Sequence, residues 1–155
     1  FHDFCNVRVY GKKMVEKKDR HKVLIIDDEI QMRFFLMTLV KSLGFDPVMA
    51  KDGVQGLDML RKIRPSAIIL DIMMPKKGGA IVYQELVTHP EFKTIPLVFF
   101  SGVDRKAFFH YIKMLNVNLE HNIPEPSIFV AKDADSEYLK GVIKTCVLGK
   151  VLEPE

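Results

Sequence analysis

Five short apolar runs, each followed by a segment with helical spacing, constrain this chain more than any other feature. The runs are residues 23–26 (Val-Leu-Ile-Ile), 47–50, 67–70 (Ala-Ile-Ile-Leu), 96–100 and 128–131. Each is too short to be a helix and too continuously apolar to leave one face in water, which is the pattern of a strand buried on both sides. Between them, Met32, Phe35, Leu36, Leu39, Val40 and Leu43 recur at steps of three and four, with Gly44 as a C-cap. Further helices are expected over 54–63, 81–89, 105–115 (capped by Asp104) and 136–147 (capped by Asp135 or Ser136), and Pro65 and Pro90 stop two of them. Alternation of this kind predicts an α/β fold with a doubly wound parallel sheet of five strands, flanked by five helices. Sites in such folds lie past the carboxyl ends of the strands, near a switch in strand order.

Other properties narrow the class. The chain has 155 residues, 48% of them hydrophobic and 28% charged, enough for one domain with a core. Its longest apolar runs, 23–26 and 95–100, fall far short of the roughly 20 residues a membrane helix needs, and no signal-peptide core follows the basic residues near the start. Cys5 and Cys146 stand at opposite ends of the chain and read as reduced thiols, consistent with a cytoplasmic protein. The histidines His2, His21, His89, His110 and His121 show no metal spacing. Residues 1–20 hold six basic side chains against three acids, which accounts for the whole net charge of +3. A basic head on a neutral body reads as a solvated extension rather than a nucleic-acid contact. The expected division is an extension over 1–21, the domain over 22–148 and a tail over 149–155. Met14 would make a natural start, with 1–13 an added leader or part of an upstream segment, and residues 6–10 could add an edge strand.

The residues just past the strands carry the chemistry. Asp27, Asp28 and Glu29 follow the first strand, Asp71 the third, Ser101 and Gly102 the fourth, and Lys132 the fifth. Asp27, Asp28 and Asp71 held close together would repel, and at least one would take up a proton. A hard divalent cation resolves that conflict, because Mg²⁺ takes oxygen ligands and commonly binds one or two carboxylates plus a phosphate. Lys132 and Ser101 add a fixed positive charge and a hydroxyl donor for phosphate oxygens. Such a set can neutralise a phosphoryl group in transfer, and a carboxylate nucleophile can form an acyl phosphate.

With these residues placed, the chain resembles bacterial response-regulator receiver domains over residues 22–148. The resemblance rests on Lys-Val-Leu-Ile-Ile-Asp-Asp-Glu, Ile-Ile-Leu-Asp-Ile-Met-Met-Pro, Val-Phe-Phe-Ser-Gly and Phe-Val-Ala-Lys, in the family's order. It implies a flavodoxin-like sheet of strand order 2-1-3-4-5. It further implies that Asp71 is the phosphoacceptor and that Asp27, Asp28, Asp71 and the Met73 backbone carbonyl hold Mg²⁺ or Mn²⁺. Lys132 and Ser101 would bind the phosphoryl group, Ser101 and Phe129 would form the switch, and Pro75 and Gly79 would shape the loop after the acceptor. The implied partners are a sensor histidine kinase or phosphotransfer domain, and a downstream target or output domain. Nucleic acid and membrane are not among them. The surface of the fourth helix, fifth strand and last helix would meet partners or a second copy. Such a domain is not an enzyme beyond its own phosphotransfer and slow autodephosphorylation.

The chain departs from the family pattern at several points. Asp133 follows Lys132 where a proline, often in a cis peptide, is usual; a cis bond before a non-proline costs about 2.5–4 kcal/mol, so a trans bond is expected here. Asp133 could also compete for the Lys132 ammonium. The connection over 116–127 is longer than the family's. Met73 and Val103 are apolar where polar residues often place the hydrolytic water, which predicts slow loss of the phosphoryl group. Two rivals remain: a receiver-like module that works without phosphorylation, and a phosphohydrolase with an aspartyl phosphate. The latter commonly carries a second Asp two residues past the nucleophile, where this chain has Met73.

Overall fold

The computed structural model describes residues 20–74, 78–117 and 128–149. Five strands, β1 (Lys22–Ile26), β2 (Asp46–Ala50), β3 (Ala67–Leu70), β4 (Leu97–Ser101) and β5 (Phe129–Ala131), alternate with five helices. These are α1 (Ile30–Ser42), α2 (Gly53–Lys62), α3 (Gly79–Thr88), α4 (Arg105–Val117) and α5 (Ser136–Leu148). All strand pairs are parallel, in the order β2-β1-β3-β4-β5. The expected fold is thus the observed one.

Side chains alternate across each strand, and the two faces feed separate cores. Leu24, Ile26, Ile68, Leu70 and Phe99 point to one side, where Leu57 and Leu60 of α2, Val82 and Leu86 of α3, and Phe108 and Ile112 of α4 cover them. Val23, Ile25, Ile69, Val98 and Phe100 point to the other, under Leu36, Leu39 and Val40 of α1 and Leu139, Val142 and Ile143 of α5. Both faces are buried, so the strands read as continuous apolar runs rather than alternating ones.

Helix ends follow local chemistry. Asp104 Oδ1 accepts from the Ala107 N–H at 2.9 Å, and Asp135 Oδ1 accepts from Glu137 N at 2.8 Å and Tyr138 N at 3.2 Å. Asp135, rather than Ser136, is therefore the cap of α5. Leu43 closes α1, and Gly44 beyond it takes φ 82° with its N–H on the Lys41 carbonyl at 2.9 Å, the left-handed exit that glycine favours.

Several boundaries differ from expectation. Ser101 is the last residue of β4 rather than the first past it, because its carbonyl accepts from Lys132 N at 2.9 Å and continues the ladder. The helix α4 runs on to Val117 and takes in the start of the long connection; residues 118–127 lie outside the described residues, as do 6–10, Cys5 and Pro75. Cys146 is a buried free thiol. Among the described residues, no helix is long and apolar enough to cross a membrane. No peptide bond there is cis, so Lys132–Asp133 is trans, as expected before a residue other than proline.

Gly79 fixes the approach of α3 to the site. Its N–H donates to the Ile72 carbonyl at 3.0 Å, and an added Cβ would strike the Asp71 carbonyl oxygen and lie 2.5 Å from Ile72 Cα. Backbone cannot step aside as a flexible side chain can. Gly79→Ala is expected to lower stability by about 1–3 kcal/mol. Gly141→Ala, in open space within α5, should instead raise it by about 0.5–1 kcal/mol. Denaturant unfolding of the two variants checks this, and equal effects would contradict the close approach.

Candidate functional site

The sheet itself brings the expected residues together. Asp27 follows β1 and its N–H donates to the Ala50 carbonyl of β2 at 3.2 Å. Asp71 follows β3, with its N–H on the Ile26 carbonyl of β1 at 2.9 Å. Neighbouring strand ends therefore hold both carboxylates, where the order turns from β1–β2 to β1–β3. Both are nearly sealed from water, Asp27 at 1% and Asp71 at 3% exposure. Lys132, just past β5, reaches back over the edge of the sheet. Its Nζ lies 3.3 Å from Asp71 Oδ2, 3.2 Å from Asp27 Oδ2 and 3.0 Å from Glu29 Oε1.

Backbone amides aim the carboxylates. Asp27 Oδ1 accepts from Glu29 N at 2.9 Å, and Asp71 Oδ1 accepts from Met73 N at 3.3 Å. Each acid thus closes a turn with one oxygen and turns the other toward Lys132. Arg33 of α1 donates from Nη1 to the Asp27 carbonyl at 2.8 Å and braces the turn from below.

The charge balance is unfavourable without a further cation. Burial pushes the Asp27 carboxyl up, and the Asp71 charge adds to that, against the Glu29 amide and Lys132. Burial likewise pushes Asp71 up, opposed by Lys132 and the Met73 amide, with Asp28 adding repulsion. For Lys132, burial alone would favour the neutral amine; the Glu29 hydrogen bond and the Asp71 and Asp27 charges outweigh it and raise its pKa.

Asp27, Asp28, Glu29 and Asp71 each offer an oxygen within 4.8 Å of the others. Asp27 Oδ2 is buried, and the group it meets is the Lys132 ammonium at 3.2 Å. Three aspartates gathered around one ammonium, which Glu29 also engages, fit a hard divalent cation.

The remaining expected residues are placed as follows. Ser101 is fully buried at the end of β4, and its Oγ accepts from Val103 N at 3.2 Å. Phe129 is half-buried and stacks on Phe108 of α4, with centroids 5.7 Å apart and planes at 23°. The Met73 side chain is 60% exposed. Met73 and Val103 line one cavity of about 490 Å³ with Ile72, Ala107, Phe108 and Tyr111, beside the acceptor position. Asp133 does not compete for Lys132: the carboxylates meeting the ammonium, among the described residues, are Asp27, Glu29 and Asp71. Sequence reasoning missed the part played by Glu29. Its place beside the acidic pair was the available signal.

A family model for the response regulator receiver domain matches residues 23–142. The chain belongs to that family. Receiver domains act in two-component signalling, between histidine kinases and output domains. This receiver domain is 37% identical over 84 residues to a probable transcriptional regulator, ycf27, of Porphyridium aerugineum, covering 54% of this chain and 35% of that one. It is 33% identical over 91 residues to protein PilG of Pseudomonas aeruginosa, covering 59% and 67%. The match thus spans about a third of the ycf27 regulator's length. In fold, it resembles the chemotaxis protein CheY4 of Vibrio cholerae, with a TM-score of 0.69 at 20% identity over 82% of this chain and 98% of that one. A receiver domain of a histidine kinase from Syntrophus aciditrophicus gives 0.70 at 20% identity, over 87% and 96%.

The raised carboxyl pKa values have a signed consequence. The folded receiver domain binds protons at Asp27 and Asp71 more tightly than the unfolded chain, so their stabilising contribution is full below about pH 4 and is lost as pH rises through the folded values. In chelator, Asp27→Asn should therefore melt above the wild type, with a margin that widens from about pH 4 toward neutrality. Melting curves across that range check it; a constant margin would contradict the buried repulsion.

Proposed function

We propose that this receiver domain accepts a phosphoryl group at Asp71 from a histidine kinase or phosphotransfer protein. The observation that carries the reading is the Asp71 carboxylate, buried at the end of β3 with one oxygen 3.3 Å from the Lys132 ammonium and three further acids beside it. In the transfer, an Asp71 oxygen bonds to phosphorus as the bond from phosphorus to the donor's imidazole nitrogen breaks. The imidazole, protonated at its other nitrogen, leaves as a neutral ring with the bonding pair. Asp71 reacts as a carboxylate, so no general base is required. Lys132 shifts to a phosphoryl oxygen, exchanging one negative partner for a more highly charged one. A divalent cation, Mg²⁺ or Mn²⁺, held by Asp27, Asp28, Asp71 and the Met73 carbonyl would neutralise the other oxygens in flight.

The reading extends to switching and timing. Ser101 turns from its own loop to the phosphoryl group, and Phe129 moves on the Phe108 stack toward the space it leaves. That couples the acceptor to α4, β5 and α5, the surface for a downstream target, an output domain or a second copy. Exposed Ile30 and Phe34, one turn apart at the start of α1, offer an apolar edge for the donor protein. Met73 and Val103 give hydrolytic water no polar anchor in their shared cavity, so the acyl phosphate is long-lived.

One experiment covers acceptance and lifetime. Incubation with a small acyl phosphate and Mg²⁺ should add one phosphoryl group by mass spectrometry, and Asp71→Asn should abolish the addition. After donor removal the group should persist, and Met73→Asn should speed its loss. Equal phosphorylation of Asp71→Asn would refute the acceptor. Decay within seconds, unchanged by Met73→Asn, would refute the timing.

A further inference from the structure

The contact between Glu29 and Lys132 is unusual for where Glu29 sits. Glu29 occupies the N-cap position of α1, with extended backbone (φ −81°, ψ 117°), where Ser, Thr, Asp or Asn side chains accept from the first free amides of the helix. It makes no such bond. Its carboxylate instead reaches Lys132, 103 residues away, with Oε1 at 3.0 Å from Nζ. The two ends differ in environment: Glu29 is exposed, whereas the Lys132 side chain is only 14% accessible. Asp27 and Asp71 hold the inner side of the ammonium and Glu29 its outer side. A phosphoryl group on Asp71 would need the same ammonium.

We infer that Glu29 is a positioning residue, a displaceable latch that occupies Lys132 in the unphosphorylated domain and competes with the incoming phosphoryl group for it. The inference rests on Asp71 being the acceptor, as proposed above. The trade favours release once the phosphoryl group is in place. A single carboxylate in contact with water holds the ammonium weakly, whereas a phosphoryl group carries about −1.5 to −2 charge. Before transfer, the latch keeps Lys132 over the acid cluster and raises the barrier to phosphorylation. Freed by transfer, Glu29 can turn to the empty cap of α1, carrying the chemical change to the helix that begins at the site.

Glu29→Gln and Glu29→Asp separate the latch from two other roles. Glutamine removes the charge; aspartate keeps it on an arm one methylene shorter. Two measurements apply. The first is acylation of Lys132 by an amine-reactive reagent in the unphosphorylated protein, quantified by peptide mass spectrometry. The second is the rate of Asp71 phosphorylation by a small acyl phosphate at saturating Mg²⁺, with the Mg²⁺ dissociation constant measured alongside by calorimetry. The latch predicts that both variants label and phosphorylate faster than the wild type, by about two- to five-fold, the range for a partly exposed ion pair, with Mg²⁺ affinity unchanged. Unchanged labelling overturns it. Acceleration confined to Glu29→Gln overturns it in favour of simple repulsion of the anionic donor. A tenfold weaker Mg²⁺ affinity in Glu29→Gln overturns it by making Glu29 a cation ligand. Wild-type protein that takes no phosphoryl group refutes the acceptor reading instead, and the labelling measurement still decides whether Glu29 holds Lys132.

Discussion

Lys132 meets three carboxylates at once, and the arrangement around it explains most of what surrounds it. Two of those acids are almost wholly buried, so their charges are poorly screened and their repulsion is felt through protein rather than water. A single ammonium only partly offsets it. The site is therefore under electrostatic tension that either a divalent cation or protonation relieves. The same residues that destabilise the folded chain near neutral pH are those that, in the function proposed above, would receive a phosphoryl group and a metal ion.

The fold holds that tension in place. Asp27 and Asp71 are tied by backbone hydrogen bonds to the ends of adjacent parallel strands, and each strand is buried on both faces by helices. The ladder fixes where each acid leaves its strand, and the Glu29 and Met73 amides fix where its carboxylate points. Gly79 lets α3 begin against the Asp71 backbone, and Ser101 extends β4 to the same edge. Rigidity at the strand ends contrasts with the groups that have room to move. Glu29 and Met73 are exposed, and Phe129 stacks at the boundary of the core.

Much of this could be read from the chain. The run Ala-Ile-Ile-Leu gave the third strand its observed limits, 67–70, because a strand buried on both faces leaves an unbroken apolar signature. The acids and the lysine followed from asking what stands past each strand. Helix ends were less legible, since α4 continues through residues whose side chains carry no stop signal. The Glu29 contact was legible only as a place beside the acidic pair, because the contact itself depends on the reach of two side chains 103 residues apart and on a helix cap left unfilled. Asp133 shows the converse: adjacency in sequence suggested a contact that the turn after β5 does not make. The apolar nature of Met73 and Val103 was plain, but their meeting in one cavity needed the packing of α4 over the loop after β3.

Buried like charge at the strand ends would make a site for a divalent cation. Thermal unfolding during titration with Mg²⁺ tests it most directly. A ligand bound by the folded state alone raises stability with the logarithm of its concentration once that exceeds the dissociation constant, by about 2.7 kcal/mol at a hundredfold excess. The melting temperature of the wild type should climb in this way, and that of Asp28→Asn should climb far less. A wild-type melting temperature indifferent to Mg²⁺ would contradict the account.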